Sequence, residues 1–345
     1  MVALELLGHP EDDCDASELS VMGLFEVLGH LPRLAAIKRA IQRRLLADPP
    51  AALLGIDAPD FNLRVEKAAR RAGIPTVHYV CPSVWAWRES RVRTIRRACD
   101  RVLCLLPFEA DFLARHGIDG HFVGHPLADE IEEADRESAR RRLGLGEGPV
   151  VAILPGSRYG EVTRIGPDFA RTAARLATVK PGLVFSVAAA TPQLRDLATR
   201  QFAAFAPGCE VGIVGGRAHE VLAACDAALL ASGTVTLEAM LLGRPMVVAY
   251  RLAPLTYRVA RLLKLVKADY ISLPNLLADQ PLVAEYVQGG ASPAILADAV
   301  LTLLDDRDEC SRLVKSFRTL HDRIRRSAAD RSAAAVLEVA GLTPG

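Results

Sequence analysis

Long apolar runs are missing from this chain. Charge interrupts every hydrophobic stretch well before the ~18 residues that a membrane-crossing helix needs, so any membrane contact is expected to be peripheral. The first residues, MVALELLGHPEDDCD, lack a basic segment followed by an apolar one, so no signal peptide is expected. Paired cysteines are missing as well. Seven cysteines, an odd number with no C-x-x-C, argue against a disulfide framework and a zinc cage, and a reducing cytoplasm is the simplest setting. Charge of one sign is not in excess: 42 Lys and Arg against 41 Asp and Glu leave +1, too little for the general basic surplus of a nucleic-acid binder. No G-x-x-x-x-G-K-[ST] loop is present, which excludes P-loop chemistry. No G-x-G-x-x-G follows an apolar strand, which argues against a dinucleotide fold, and no two histidines have metal-ligand spacing.

What is present is enough to build a core. The 345 residues are 50% hydrophobic, and this length suits two domains or one large one. Short apolar runs at 50–56, 75–80, 101–106, 149–154, 182–189, 209–214, 226–231 and 244–250 read as buried strands. Helical patterns such as NLRVEKAARRAG (62–73) and FARTAARLATV (169–179) lie between them. Alternation of unalternated strands with helices is the mark of parallel sheets covered on both faces. The glycines of RLGLGEGPV (142–150) suggest a boundary, and 292–340 is helical in pattern. The expectation is an α/β protein with two Rossmann-like domains facing a cleft, 1–145 and 146–309, and a helical segment over 310–345. In such sheets, ligands lie beyond the carboxyl ends of the strands, so residues just after strands matter most.

Three strand ends stand out. After AALLGI comes DAPDFN, where Asp57, ahead of the stiffening Pro59, is placed to act as a general base. Asp60 or Asn62 reads as the cap of the helix that follows. After VVAIL comes PGSRYGEV, a Gly-Ser turn with Arg158 beside Ser157; it suits a phosphate or is an ordinary Pro-Gly turn. After DAALLA comes SGTVTLEAM, where Ser232, Gly233 and Thr234 open a helix able to hold an anion, and Ser232 reads equally as an N-cap. Glu238 lies one turn on, within reach of a ribose if a nucleotide is bound. His125 in FVGHP reads as a packed or turn histidine beside the alternative of a functional one. Aromatic residues are scarce, at 5%, yet both tryptophans sit with six arginines in PSVWAWRESRVRTIRRACDR (82–101).

GIDAPDFN, HYVCPSVWAWR, FEADFLARHGI, FVGHPLAD, ILPGSR, LLASGTVTLEAML, PMVVAYR and YISLPNLLA resemble, in order from about Glu18 to the C-terminal helix, the lipid-A-disaccharide synthase family. PSVWAW and SLPNLLA are specific to that family rather than to its fold. The resemblance implies an inverting glycosyltransferase of the two-domain GT-B type, without metal or other cofactor. It would join UDP-2,3-diacylglucosamine to 2,3-diacylglucosamine 1-phosphate through a β-1,6 link and release UDP. Asp57 would then take the proton of the acceptor's 6-hydroxyl. Ser157, Arg158, Ser232, Gly233, Thr234 and Glu238 would hold UDP, and Asn275, read as ending a strand in SLPN, would join them.

Two acylated substrates give the Trp/Arg segment a purpose. Trp85 and Trp87 suit a membrane interface, and Arg93, Arg97 and Arg101, on one side of a helix with Val92 and Ile95 turned away, would attract anionic headgroups. The alternative is a solvated helix with both tryptophans packed inside. RNA would need basic residues interleaved with several exposed aromatics, which are absent, so no nucleic-acid partner is expected. The expected setting is the cytoplasmic face of a Gram-negative inner membrane, with a homodimer as a further partner. Family members open with a strand, a Gly-rich loop and a helix, and residues 1–16 do not match them. On that ground the chain starting at Met1 is expected to be poorly soluble or weakly active. Two rivals remain: another UDP-sugar enzyme on the same fold, either a 2-epimerase or a cell-wall glycosyltransferase, and a glycolipid-binding protein without turnover.

Overall fold

The computed structural model describes residues 24–86, 89–132, 135–253, 257 and 268–342. Residues 1–16 and Trp87 lie outside the described residues. The chain divides into two compact units, Met1–Pro126 with Ile324–Gly345, and Leu127–Arg323.

The first unit begins with α1 (Leu24–Ala47), followed by β1 (Leu53–Ile56), α2 (Pro59–Arg71), β2 (Thr76–Tyr79), α3 (Val92–Ala98), β3 (Arg101–Cys104), α4 (Pro107–Arg115) and β4 (Gly120–Phe122). A short α5 (Pro126–Glu130) begins at the last residue of this stretch and lies otherwise in the second unit. The four strands form a parallel sheet in the order β1-β2-β3-β4. On one side, Leu45 and Ile41 of α1 pack with Leu53, Val65, Ala69 and Ile74. The close seat of α2 on β1 depends on Gly55. A Cβ there would stand 1.9 Å from Glu66 Oε1, which is buried under the strand.

The second unit contains α6 (Arg136–Leu143), β5 (Val150–Leu154), α7 (Tyr159–Val179), β6 (Val184–Ala189), α8 (Pro192–Phe205), β7 (Glu210–Gly215), α9 (Ala218–Ala224), β8 (Ala227–Ala231), α10 (Val235–Leu241) and β9 (Met246–Tyr250). After these come α11 (Leu273–Ala278), β10 (Ala284–Val287), α12 (Pro293–Asp305) and α13 (Arg307–Ile324). Six parallel strands run in the order β10-β9-β8-β5-β6-β7. Strands β5 and β8 are wholly buried, as their uninterrupted apolar runs require. Phe169 and Phe185 are fully buried at the centre, each contributing roughly 1.5–3 kcal/mol by leaving water. The glycine-rich loop before β5 is tethered by Arg140, which donates to the carbonyls of Gly146, Gly148 and Ala224 and to Asp226. The last helix, α14 (Ala328–Val339), belongs to the first unit, where Ala335 packs on Val77, Leu103 and Val123.

This is the two-domain α/β architecture with a helical C-terminal segment that the sequence pattern calls for. In the second sheet the strand order reverses between β5 and β8, where β5 leads outward to β6 and β8 to β9. Open parallel sheets bind ligands at such switch points. Among the described residues, no helix is long and apolar enough to cross a membrane.

Candidate active site

Asp57 follows β1 directly and is exposed. Its backbone lies in the left-handed region at φ 49°, and that of Ala58 follows at 40°. Neither residue adopts this conformation without cost, of the order of 1–3 kcal/mol each. Two contacts hold the turn: the Asp57 N–H bonds the Tyr79 carbonyl at 2.9 Å, and buried Asn62 donates to the carbonyls of Ile56 and Asp57 at 2.9 and 2.8 Å. Asn62 and Asp60 therefore do not cap α2. The N-cap is Ala58, with no side-chain bond, because the left-handed turn already delivers the chain into the helix. Asp60 instead pairs with Arg91.

Beside Asp57, the end of β2 is also strained. Val80, a β-branched residue, has φ 75°. Asp57, Val80 and Arg91 line one cavity of about 220 Å³.

In the second unit, the turns after β5 and β8 stand at the ends of neighbouring strands. The first turns at Gly156, φ 116°, where a Cβ would press on Glu161 Oε2 at 2.8 Å. Glu161 accepts from the Arg158 N–H at 3.4 Å and from Arg158 Nη1 at 3.0 Å, and Tyr250 donates to it at 3.4 Å. Ser157 and Arg158 are exposed. The second turn exposes Gly233 and Thr234. Ser232 is no N-cap: its hydroxyl donates to the Ile271 carbonyl at 2.6 Å, so it ties this turn to the loop before α11. Burial pushes the Glu238 carboxyl above its usual range, with His219 nearby pulling the other way.

Asn275 corrects the sequence reading. It lies on α11, not at a strand end, and is 1% exposed. Its amide is used within the fold, donating to Val283 O and Glu285 Oε1 at 2.9 and 2.8 Å and accepting from Val283 N at 2.7 Å. It therefore helps to hold the loop, with both amide hydrogens taken up within the fold. Glu285, which the sequence reading missed, is the hub: it also accepts from the N–H groups of Ile271 and Ser272 at 2.9 and 2.8 Å. Its signal is the chain's return from position 271 to 285, which no local pattern carries.

The basic segment needs two corrections. Helix α3 ends at Ala98 because Cys99 is extended and Asp100 turns to accept from Thr76 N at 2.9 Å. Arg101 thus lies in β3, bonded to Asp119 and Glu338 at 2.8 and 2.6 Å, and does not extend the row of Arg93 and Arg97. Those two are exposed, and Val92 and Ile95 are buried. Trp85 does not offer a free indole to an interface. It is half-buried, edge-on to Phe108 with ring centres 4.8 Å apart, and donates to Glu109 at 3.1 Å. His125 is buried, and its backbone N–H donates to the Ile324 carbonyl at 2.9 Å.

Two buried triads escape a search by sequence spacing, because their members come from separate elements. They are Glu66–His78–Cys99 and Cys81–Cys104–Glu109, each with ligand-type atoms within 4.8 Å of one another. In the first, Glu66 already meets His78 Nδ1 at 2.7 Å and the Cys99 thiol at 3.3 Å. In the second, Glu109 accepts from Trp85 and from the N–H groups of Leu105 and Leu106 at 3.1 and 3.0 Å. Burial and Glu66 hold the Cys99 thiol protonated, and a bond to Cys104 together with burial does the same for Cys81. Each triad's carboxylate is already engaged by its neighbours, so both triads read as internal ties.

The profile of the family described as Lipid-A-disaccharide synthetase matches residues 13–339. The Lipid-A-disaccharide synthase of Alkalilimnicola ehrlichii is 51% identical over 327 residues, covering 94% of this chain and 85% of that one. Among solved structures, the UDP-GlcNAc 2-epimerase from Neisseria meningitidis bound to UDP-GlcNAc aligns with a TM-score of 0.61 at 13% identity, over 88% of this chain and 81% of that one. WaaG, a glycosyltransferase involved in lipopolysaccharide biosynthesis, aligns at 0.53 and 15% identity, over 86% and 80%. These two likenesses are of fold.

Proposed function

Because the chain belongs to the lipid-A-disaccharide synthase family, glycosyltransferases of lipid A biosynthesis, we propose that its chemistry is divided between the strand ends of its two sheets. The substrates are UDP-2,3-diacylglucosamine and 2,3-diacylglucosamine 1-phosphate, and the products are the β-1,6-linked disaccharide phosphate and UDP. The observation that carries the assignment is topological. Both phosphate-type turns, 155–158 and 232–234, follow the two strands that flank the switch point of the second sheet.

Ser157, Arg158, Gly233 and Thr234 hold the pyrophosphate, with Glu238 on the ribose and Ser232 keeping the second turn in place. The acceptor's 6-oxygen attacks the donor's anomeric carbon from the face opposite UDP. The new C–O bond forms as the bond to the phosphate oxygen breaks, and UDP leaves with the electron pair. Asp57 accepts the hydroxyl proton, and Arg158 meets the charge that develops on UDP. The strained turn favours this role for Asp57, since strain persists where the aim of a side chain matters.

The first unit is the acceptor side and the second the donor side. Arg93 and Arg97, both exposed on α3, draw the enzyme to an anionic surface, the inner face of the inner membrane, where both acylated substrates reside. UDP release measured with and without the lipid acceptor tests the reading. Release only with acceptor, together with disaccharide, is expected. Epimerised UDP-sugar, or binding without turnover, would replace it with one of the rival activities.

A further inference from the structure

The cavity beside Asp57 has a charge pattern that the reaction described so far does not use. Its lining includes two carboxylates, Asp57 and Asp60, the Ser83 hydroxyl, and apolar Val80 and Val84. Arg91 is the only cation among the described residues that line it. The Arg91 side chain is 28% exposed, and that of its partner Asp60 is 73% exposed. An ion pair with one carboxylate so open to water holds its cation weakly.

We propose that this cavity is the subsite for the acceptor's sugar and that Arg91 binds its 1-phosphate, displacing Asp60. The proposal rests on the reading of Asp57 as the base. At about 220 Å³ the cavity accepts one sugar ring rather than a disaccharide. A hexosamine carries its 1-phosphate and its 6-hydroxymethyl group on the two carbons that flank the ring oxygen, so both groups can enter one small cavity. A carboxylate and a guanidinium lining one cavity thus match two groups of the acceptor: the proton to be removed and the charge to be held. A phosphate monoester offers the planar fork two oxygens and a larger charge than Asp60, so it wins the exchange. Asp60 in turn keeps the guanidinium aimed into the cavity when no acceptor is bound. An acceptor without the phosphate leaves that pair closed, and Arg91 thereby becomes the residue that selects the phosphorylated substrate.

The test compares 2,3-diacylglucosamine 1-phosphate with the same lipid lacking the phosphate, at fixed donor, in mixed micelles. The native chain should favour the phosphorylated lipid in kcat/KM by roughly 10- to 100-fold, the scale of a charge-assisted bidentate contact. Arg91→Ala should abolish this preference, change the dephosphorylated lipid by less than about threefold, and leave UDP affinity unchanged. Arg91→Lys should restore part of it. Asp60→Asn should tighten the phosphorylated acceptor, because the competing carboxylate is gone. Retained preference in Arg91→Ala, or an equal fall for both lipids, would overturn the proposal. Weaker UDP binding in that variant would overturn it too, by assigning Arg91 to the donor's pyrophosphate. If Arg91→Ala does not fold, the lysine and Asp60 variants decide in the same way. Acceptor binding to Asp57→Asn separates the two readings. Phosphate-selective binding there upholds Arg91 whatever the variant's turnover, and normal turnover there removes Asp57 alone.

Discussion

The two sheets present their carboxyl ends in different ways. In the first, positive φ falls on Asp57, Ala58 and Val80, none of them glycine, and the strand ends line a cavity. In the second, the turn after β5 takes its positive φ at Gly156, and Ser157, Arg158, Gly233 and Thr234 lie open. On the proposed division of roles, the difference follows from what each end would have to do. A phosphate is recognised by backbone and a charged side chain that approach closely, which glycine allows without strain. A base has to point one carboxylate at one proton, and that aim justifies a costly backbone held by Asn62 below it.

The contrast breaks most severely at Gly55. In Gly55→Ala the new Cβ would overlap Glu66 Oε1, and displacing that carboxylate strands His78 in the core. Overpacking and a lost buried partner together should cost about 2–5 kcal/mol. Thermal unfolding should show a clear fall in Tm and, because β1 carries Asp57, a fall in kcat beyond that explained by unfolded protein. A change that leaves both untouched would mean that α2 is not wedged under β1 as described.

Glu109 sharpens the contrast on the first unit's side. Burial raises its pKa to about 7, although Leu106, Trp85 and Leu105 donate to it. In the unfolded chain it titrates near 4.5, so between the two values the unfolded state holds fewer protons and stability falls as pH rises. The loss is complete above about pH 7 and is on the order of 3 kcal/mol. Denaturant titrations of Glu109→Gln from pH 4.5 to 7.5 should lack this slope, and an unchanged slope would assign it to other groups.

On the second unit's side, Arg158→Ala should weaken UDP binding by ~1.5–3 kcal/mol, as expected for a charge-assisted hydrogen bond, and leave Tm nearly unchanged because the side chain is exposed. Calorimetry with unaltered UDP affinity would remove it from the donor site. The smallest effect belongs to α3. Replacing Arg93 and Arg97 with glutamine should reduce binding to anionic vesicles by ~1 kcal/mol per charge, less at high salt. Vesicle sedimentation indifferent to both changes would make α3 a solvated face only.

Much of this was legible in the sequence because its signals are local. Buried parallel strands write themselves as unbroken apolar runs, so β1, β2, β3, β5, β6, β8 and β9 fall within the stretches read as strands, and β7 runs one residue past its stretch. Strand β10 escaped because AEYV is short and its ends are exposed. The position of Asp57, Arg158 and Thr234 just after strands was readable for the same reason. What could not be read depends on contacts between distant residues. Asp100 reaching Thr76 stops α3 before Arg101, and Glu285 turns Asn275 from a candidate ligand into a tie. The Asp60–Arg91 pair, which suggests the acceptor subsite, joins residues on separate elements in the same way.

The division of labour between the two sheets is tested most directly by Asp57→Asn, with turnover and UDP affinity measured on the same preparation. The variant keeps the size of the side chain and removes its basicity. Turnover should fall by ~10²-fold or more while the Kd for UDP stays within about twofold of the native chain. Near-native turnover, or a loss of UDP affinity that matches the loss of rate, would contradict the assignment of the base to the first sheet and the donor to the second.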